Sequence, residues 1–454
     1  MTTSGASRVL TSGLSRRGFL ATSLAVGAAG TLAACGSGSS NVPGQQPTAP
    51  ATGDGGAAGY DGPKVDLAFW NGFTGGDGPV MKKLVDQFNT EHENIAVKMT
   101  TITWSDYYTK LPSAVTAGKG PEIAIMHADS VATNAARQVI QPLDDVATAL
   151  KLTEADFAPV PWQAGLYKDI RYSIPLDVHP LGFYYNKTVL EKAGLDPEKP
   201  PTNREEYESA LDAMKTKNIQ GYWITPFEFT AGQTVQSLTW QFGGTMISDD
   251  GSSVQWAEDP AVQALTWYTD MIKNGHSPAK QGQDADALAL QNNKTAFNWN
   301  GIWNINTLKE KKDLQWGVAA LPTIGTQPAA WAGSHQFVLP AQKKADDNKQ
   351  TAARVFLNWI SQQSLGWAEG GQVPARNEVR ESPEFAAMTE QAALGKQIDV
   401  VRFAPTIPGV GDVMGEFTKA INEAVLGKSD PAKALADAAG RGTKILEQNK
   451  KKYG

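Results

Sequence analysis

The sequence predicts an α/β protein of two lobes, each a mainly parallel sheet flanked by helices, joined by a multi-strand hinge with a ligand cleft between them. Three observations point there. Apolar runs of strand period and of helix period alternate over comparable lengths on either side of residues 174–187. That stretch reads as an extended crossing. Pro175 and Pro180 disfavour helix around Asp177 and His179, after which Leu181, Phe183 and Tyr185 alternate with Gly182, Tyr184 and Asn186. Finally, 454 residues at 41% hydrophobic content suffice for more than one core and exclude a disordered chain.

At the start of the chain, Ser15-Arg16-Arg17-Gly18-Phe19-Leu20 leads into small and apolar residues ending Leu32-Ala33-Ala34-Cys35. This resembles a twin-arginine export signal joined to a bacterial lipoprotein box. A membrane span is disfavoured, since the stretch from Phe19 to Ala34 is short for a bilayer and rich in Ala and Gly. The resemblance implies residues 1–34 as a signal peptide, cleavage before Cys35, and a diacylglyceryl group on its sulfur. Cys35 is the single cysteine, which excludes an intrachain disulfide and a thiolate metal cluster. Residues 35–62, rich in Gly, Ser, Pro and Ala, read as a flexible tether of about 30 Å between lipid and globule. The net charge is −6, and residues 1–34 carry Arg8, Arg16 and Arg17 but no acid, so the remainder is more acidic still. It has no electrostatic basis for binding nucleic acid.

Folded structure is expected from Val65. Residues 65–70 alternate as a strand. After the Gly-rich loop from Asn71 to Pro79, a helix carries Val80, Met81, Leu84, Val85 and Phe88 on one face. The loop lacks the lysine and the spacing of a phosphate cradle, and reads as a ligand-facing turn. A strand over 95–102 follows, then Trp104 in a turn and a helix over 105–117 bent by Pro112. Residues 122–126 read as a buried parallel strand with His127, Ala128 and Asp129 at its carboxyl end, the end that lines the crevice of open α/β sheets. Past the crossing, Thr188 is the expected cap of a helix with Val189, Leu190 and Ala193. Thr202 and Glu205 form the expected capping box of a helix with Tyr207, Leu211 and Met214. Residues 260–272 are amphipathic, 295–303 close a strand onto a helix, 331–340 are extended, and both 349–361 and the Ala-rich tail from Gly415 are helical. The lobes are expected at 63–177 with 331–373, and at 178–330 with 374–454.

Six features then occur in a telling order: the signal, the Asn89-to-Ile95 spacing, Leu111 through Pro121-Glu122-Ile123, Tyr185-Asn186-Lys187, Asn300-Gly301-Ile302-Trp303, and the Leu321-Pro322 turn. In that order they resemble the extracellular solute-binding proteins of ABC importers, family 1, the maltose-binding-protein type, over nearly the whole chain from about residue 64. The resemblance implies a periplasmic-binding-protein fold. It also implies a monomeric clamp that closes on a sugar or polyol at the extracytoplasmic face of a bacterial plasma membrane and hands it to permease subunits, with no cofactor. Sugars present hydroxyls that want Asp, Asn or Glu, and C–H faces that stack on aromatic rings.

Carried over residue by residue, the resemblance implies that Asn71 makes a polar contact from the first-strand loop, Asp129 binds a hydroxyl, and Trp303, with Asn300 in the same motif, supplies a stacking ring. Phe73-Thr74 and Ile305 depart from the maltose pattern, so maltodextrin specificity is not carried over. Phe73 in the first-strand loop is a further candidate, and position alone adds Asp177 and His179 at the hinge, Trp104, Glu228, Trp240 and Trp299 after strands or turns, and His335 and Arg376 beside later crossings. Three rivals remain. A glycosidase would need a carboxylate pair, for which Asp129, Asp177 and Glu228 are available but no motif selects two. A glycerophosphodiester ligand would need cations, of which Arg376 is the one candidate. A ferric ion would need adjacent tyrosines, for which Tyr107-Tyr108 and Tyr184-Tyr185 are available, but the second pair alternates on a strand and faces opposite ways. Metal is therefore not expected.

Overall fold

The computed structural model describes residues 59–224 and 229–454. The expected signal peptide, Cys35, most of the tether and Glu228 lie outside the described residues.

In chain order, β1 (Val65–Asn71), α1 (Asp77–Glu91), β2 (Ile95–Thr101), α2 (Trp104–Ala117), β3 (Ile123–His127) and α3 (Ala128–Ala136) build the first half. Then β4 (Ile174–Pro175) leads to β5 (Asp177–Asn186), a ten-residue strand buried along its whole length. The second half holds α4 (Lys187–Ala193), α5 (Arg204–Thr216), α6 (Phe229–Gln241), α7 (Asp259–Lys273), β6 (Phe297–Gly301), α8 (Asn304–Lys309), β7 (Trp316–Ala319) and β8 (Ala330–Gly333). The chain returns through β9 (His335–Val338), α9 (Asp347–Gln362) and α10 (Ser364–Ala368). It crosses again at β10 (Val373–Pro374) and ends in β11 (Val401–Arg402), α11 (Val410–Val425) and α12 (Pro431–Tyr453).

Two sheets result. The first has the order β2-β1-β3-β9-β4, with β1, β2 and β3 parallel and β9 antiparallel to both neighbours. The second is organised on β5, which pairs antiparallel with β6, β7, β8 and β10, while β8 and β11 are parallel. The expected parallel character thus holds in the first sheet, whereas the second is mixed. Its cause is the direction of β5, which runs out of the crossing while its partners run back toward it.

Each sheet buries its own core. Phe69, Phe88, Phe337 and Phe356 meet under the first, so the face of α1 that carries Phe88 packs where its periodicity placed it. Phe183, Trp256, Trp267, Trp299 and Phe417 fill the second, to which the two C-terminal helices contribute Ile421 and Leu435. Each such side chain stabilises the fold by roughly 1.5–3 kcal/mol. The alternation along β5 is as expected: Leu181, Phe183 and Tyr185 enter this core, and Tyr184 enters a different one with Ile302 and Leu308.

Both expected caps are displaced by one or two residues. Asn186, not Thr188, caps α4, its Oδ1 accepting from Val189 N at 3.0 Å. Asn203, not Thr202, caps α5, while Thr202 donates through N and Oγ1 to Glu206. In each case an Asn carbonyl stood nearer the first free N–H groups of the helix than the hydroxyl did.

Candidate functional site

The functional side chains gather where β3, β5, β8 and β9 meet. His335 on β9 stands directly opposite His127 at the carboxyl end of β3, and His179 on β5 stands opposite Gly333 on β8. The absence of a side chain at Gly333 makes room, since a Cβ there would lie 2.3 Å from Nε2 of His179. Asp177 and His179 are two apart on one strand and share a face. Ring centroids lie 4.4 Å apart for His179 and His335, 5.2 Å for His127 and His335, and 5.8 Å for His127 and His179.

Asp177 organises this set from behind. It is fully buried and accepts from His335 N at 2.9 Å, His335 Nδ1 at 2.7 Å, Trp367 Nε1 at 2.7 Å and His179 Nδ1 at 3.2 Å. Burial alone would raise its pKa, but His335 and His179 together hold it well below the usual carboxylate range. Burial would likewise lower His335, yet the adjoining Asp177 raises it. His179 and His127 are pushed down by burial and by the nearby His335. His127 is tied instead to Tyr108, whose Oη lies 2.7 Å from Nδ1 and accepts from the His127 backbone N–H at 2.9 Å.

Aromatic rings continue outward from the histidines in an unbroken series. Trp104, at the start of α2, lies against His127 at 4.3 Å and stacks at 13° on His335 at 5.9 Å. Gly72 is required for this, because a Cβ there would sit 2.1 Å from the indole. In the other direction His179 meets Trp331 at 6.1 Å, Trp331 meets Phe229 at 5.8 Å, and Phe229 meets Trp303 at 6.2 Å. The series begins in the first half of the chain and ends in the second. Its outer members are the open ones: Phe229 is 66% exposed and Trp303 36%. Asp129, in the first turn of α3, has its side chain open to solvent. Enough protein surrounds it that desolvation raises its carboxyl, and it in turn, after burial, raises the Tyr108 phenol.

Trp104, His335, His179 and Trp303 therefore lie along one series of rings, with Asp129 beside it next to Tyr108. Three other candidates lie behind them. Asn71 is buried and shapes the loop after β1, its Oδ1 accepting from Phe73 N and Thr101 Oγ1. Phe73 is buried against His335 and Trp367. The carboxylate of Asp177 is committed to the protein. The rest are elsewhere. Trp299 is buried in the second core against Tyr207, Tyr222 and Trp267, because alternation along β6 turns it to the helix side. Asn300 is buried and bonds its neighbour Gly301 N. Trp240 is buried in α6 and borders a separate groove with Pro159, Met246 and Phe403. Arg376 lies over Phe157 and donates to Ser361, so its charge does not reach the rings. Sequence reasoning passed over Trp331, Trp367 and Phe229 as site residues, weighed Tyr108 only as half of a tyrosine pair for a ferric ion, and noted His127 only as a strand end. Its place at the carboxyl end of a parallel strand was the one signal available.

Residues 73–363 match the family described as bacterial extracellular solute-binding protein. A binding protein of Brucella abortus is 24% identical over 385 residues, 82% of this chain and 90% of its own. The sn-glycerol-3-phosphate-binding periplasmic protein of Pectobacterium atrosepticum is 25% identical over 274 residues, 57% of this chain and 60% of its own. Among solved structures, the cyclic α-maltosyl-1,6-maltose binding protein of Arthrobacter globiformis matches with a TM-score of 0.73 at 24% identity, over 85% of this chain and 100% of its own. An ABC transporter solute-binding protein of Thermotoga lettingae bound with α-D-tagatose matches at 0.72 and 26% identity, over 84% of this chain and 100% of its own.

Proposed function

The chain belongs to the bacterial extracellular solute-binding proteins, and from that premise we infer that it is the substrate-capturing component of an ABC importer whose ligand is a mono- or oligosaccharide. One observation carries the choice of ligand: the series of rings from Trp303 and Phe229 through Trp331 and His179 to Trp104, flanked by Asp129. Aromatic faces suit the C–H faces of a sugar, and a carboxylate suits its hydroxyls. The similar Thermotoga protein bound with tagatose supports the same reading. Arg376, the one cation the sequence offered for a phosphodiester, lies over Phe157 and donates to Ser361, which favours the sugar. The Pectobacterium relative that binds glycerol phosphate keeps that ligand as the second reading. No step of chemistry on the ligand is part of this role.

We place the lobes at 63–177 with 334–373, and 178–333 with 374–454, three residues past the boundary expected at 331, because β8 pairs in the second sheet and β9 in the first. The ligand closes the lobes by binding the closed state more tightly than the open one. Cys35 carries the lipid that holds a monomer at the outer face of the plasma membrane, where it meets the permease. A thermal-melt panel of sugars, polyols and glycerophosphodiesters on the full-length chain tests the reading. A ligand at a hundred times its Kd adds about 2.7 kcal/mol. Stabilisation by one sugar class supports the assignment, and stabilisation by phosphodiesters alone overturns it.

A further inference from the structure

His127, His179 and His335 are far apart in the chain, yet one ring nitrogen from each lies within 4.8 Å of the others. Their positions are set by backbone pairing, His127 opposite His335 and His179 opposite the bare Gly333. Every ring is also fixed from behind through Nδ1: His335 and His179 by Asp177, His127 by Tyr108. That leaves each Nε2 available, and among the described residues none of the three makes a hydrogen bond through it.

We propose that His127, His179 and His335 together bind one divalent transition-metal ion of the zinc, nickel or copper class, with Asp177 and Tyr108 as the outer groups that orient the rings. Imidazoles held by a carboxylate or hydroxyl on the far nitrogen are the usual form of such ligands. Three nitrogen donors select these metals over magnesium and calcium, which take oxygen. In a tetrahedral zinc site with bonds of about 2.0–2.1 Å the nitrogens are about 3.4 Å apart, so a pair of ring nitrogens at the 4.8 Å limit draws in by about 1.4 Å. Asp129 beside Tyr108 and Asp77 beside His335 favour a cation over an anion at this point. Because β3 pairs in the first sheet and β5 in the second, the ion joins the two halves at their crossing. The site goes beyond the sugar reading and stands without it.

The test is calorimetric titration of the untagged full-length chain, freed of metal by chelator, with Zn²⁺ and, separately, with Mg²⁺. One equivalent of Zn²⁺ binding and no response to Mg²⁺ are expected. His127→Ala should weaken Zn²⁺ binding at least 100-fold, Tyr108→Phe about 10- to 100-fold, and His92→Ala not at all. If His127→Ala does not fold, the Cu²⁺ resonance spectrum of the unaltered chain decides, three coupled nitrogens supporting the site and fewer overturning it. Absence of Zn²⁺ binding, or its persistence in a folded His127→Ala variant, overturns the proposal. A melt stabilised by inorganic phosphate in chelator but not by Zn²⁺ overturns it in favour of an anion site.

Discussion

Replacing Trp303 with alanine separates binding from folding. The indole is 36% exposed and folds back over Gly301, where a Cβ would lie 2.1 Å from it. It makes no capping hydrogen bond at the start of α8, and its ring neighbour is the still more exposed Phe229. The indole is about two-thirds covered, so a loss of about 1–2 kcal/mol is expected, less than the ~3–5 kcal/mol of a fully buried tryptophan. A stacked sugar, by contrast, removes roughly 80 Å² of apolar surface from water, about 2 kcal/mol at ~25 cal/mol per Å². That is roughly a 30-fold rise in Kd. Tryptophan fluorescence titration with the sugar found in the melt panel measures the Kd, and urea unfolding measures the stability. An unchanged Kd would refute the placement of the cleft. A loss of several kcal/mol of stability would refute the surface role.

Trp299→Ala should do the reverse: its ring is 2% exposed in the second core, so urea unfolding should show a loss of about 3–5 kcal/mol, while the Kd of the folded fraction is unchanged. Asp177→Asn strands the buried His335 and loosens His179 and Trp367, so a loss of about 3–5 kcal/mol is expected, and less than 1 kcal/mol would show that Asp177 does not organise the site. Asp286→Asn tests a pH effect. Burial raises the Asp286 carboxyl above its ordinary 3.8 against the hydrogen bond from Asn298, so the folded chain holds a proton that the unfolded chain has released. Its contribution is present at low pH and lost as pH rises above 3.8. The variant should therefore be the more stable at pH 7, with the gap closing below pH 4. A gap that widens on acidification would contradict the assignment.

Much of the fold was legible because local pattern and tertiary need coincide. The i, i+3, i+4 spacing of Met81, Leu84, Val85 and Phe88 names the buried face of α1, and the alternation from Leu181 to Tyr185 names the two faces of β5. The site was legible only in part. Trp299 and Trp303 are four residues apart in one motif, and nothing in the sequence tells the buried ring from the open one. The histidines meet through pairings of β3 with β9 and β5 with β8, contacts that span much of the chain and leave no local trace. The caps show the same limit at short range, where Asn186 competes with Thr188 and Asn203 with Thr202 for the same free N–H groups.

Small-angle X-ray scattering of the full-length chain, with and without the sugar selected by the melt panel, tests the clamp itself. Closure of two lobes on a carbohydrate predicts a smaller radius of gyration at saturation, reversed when the sugar is removed and absent with sugars that do not bind. Saturating sugar with no change in scattering would contradict capture by closure.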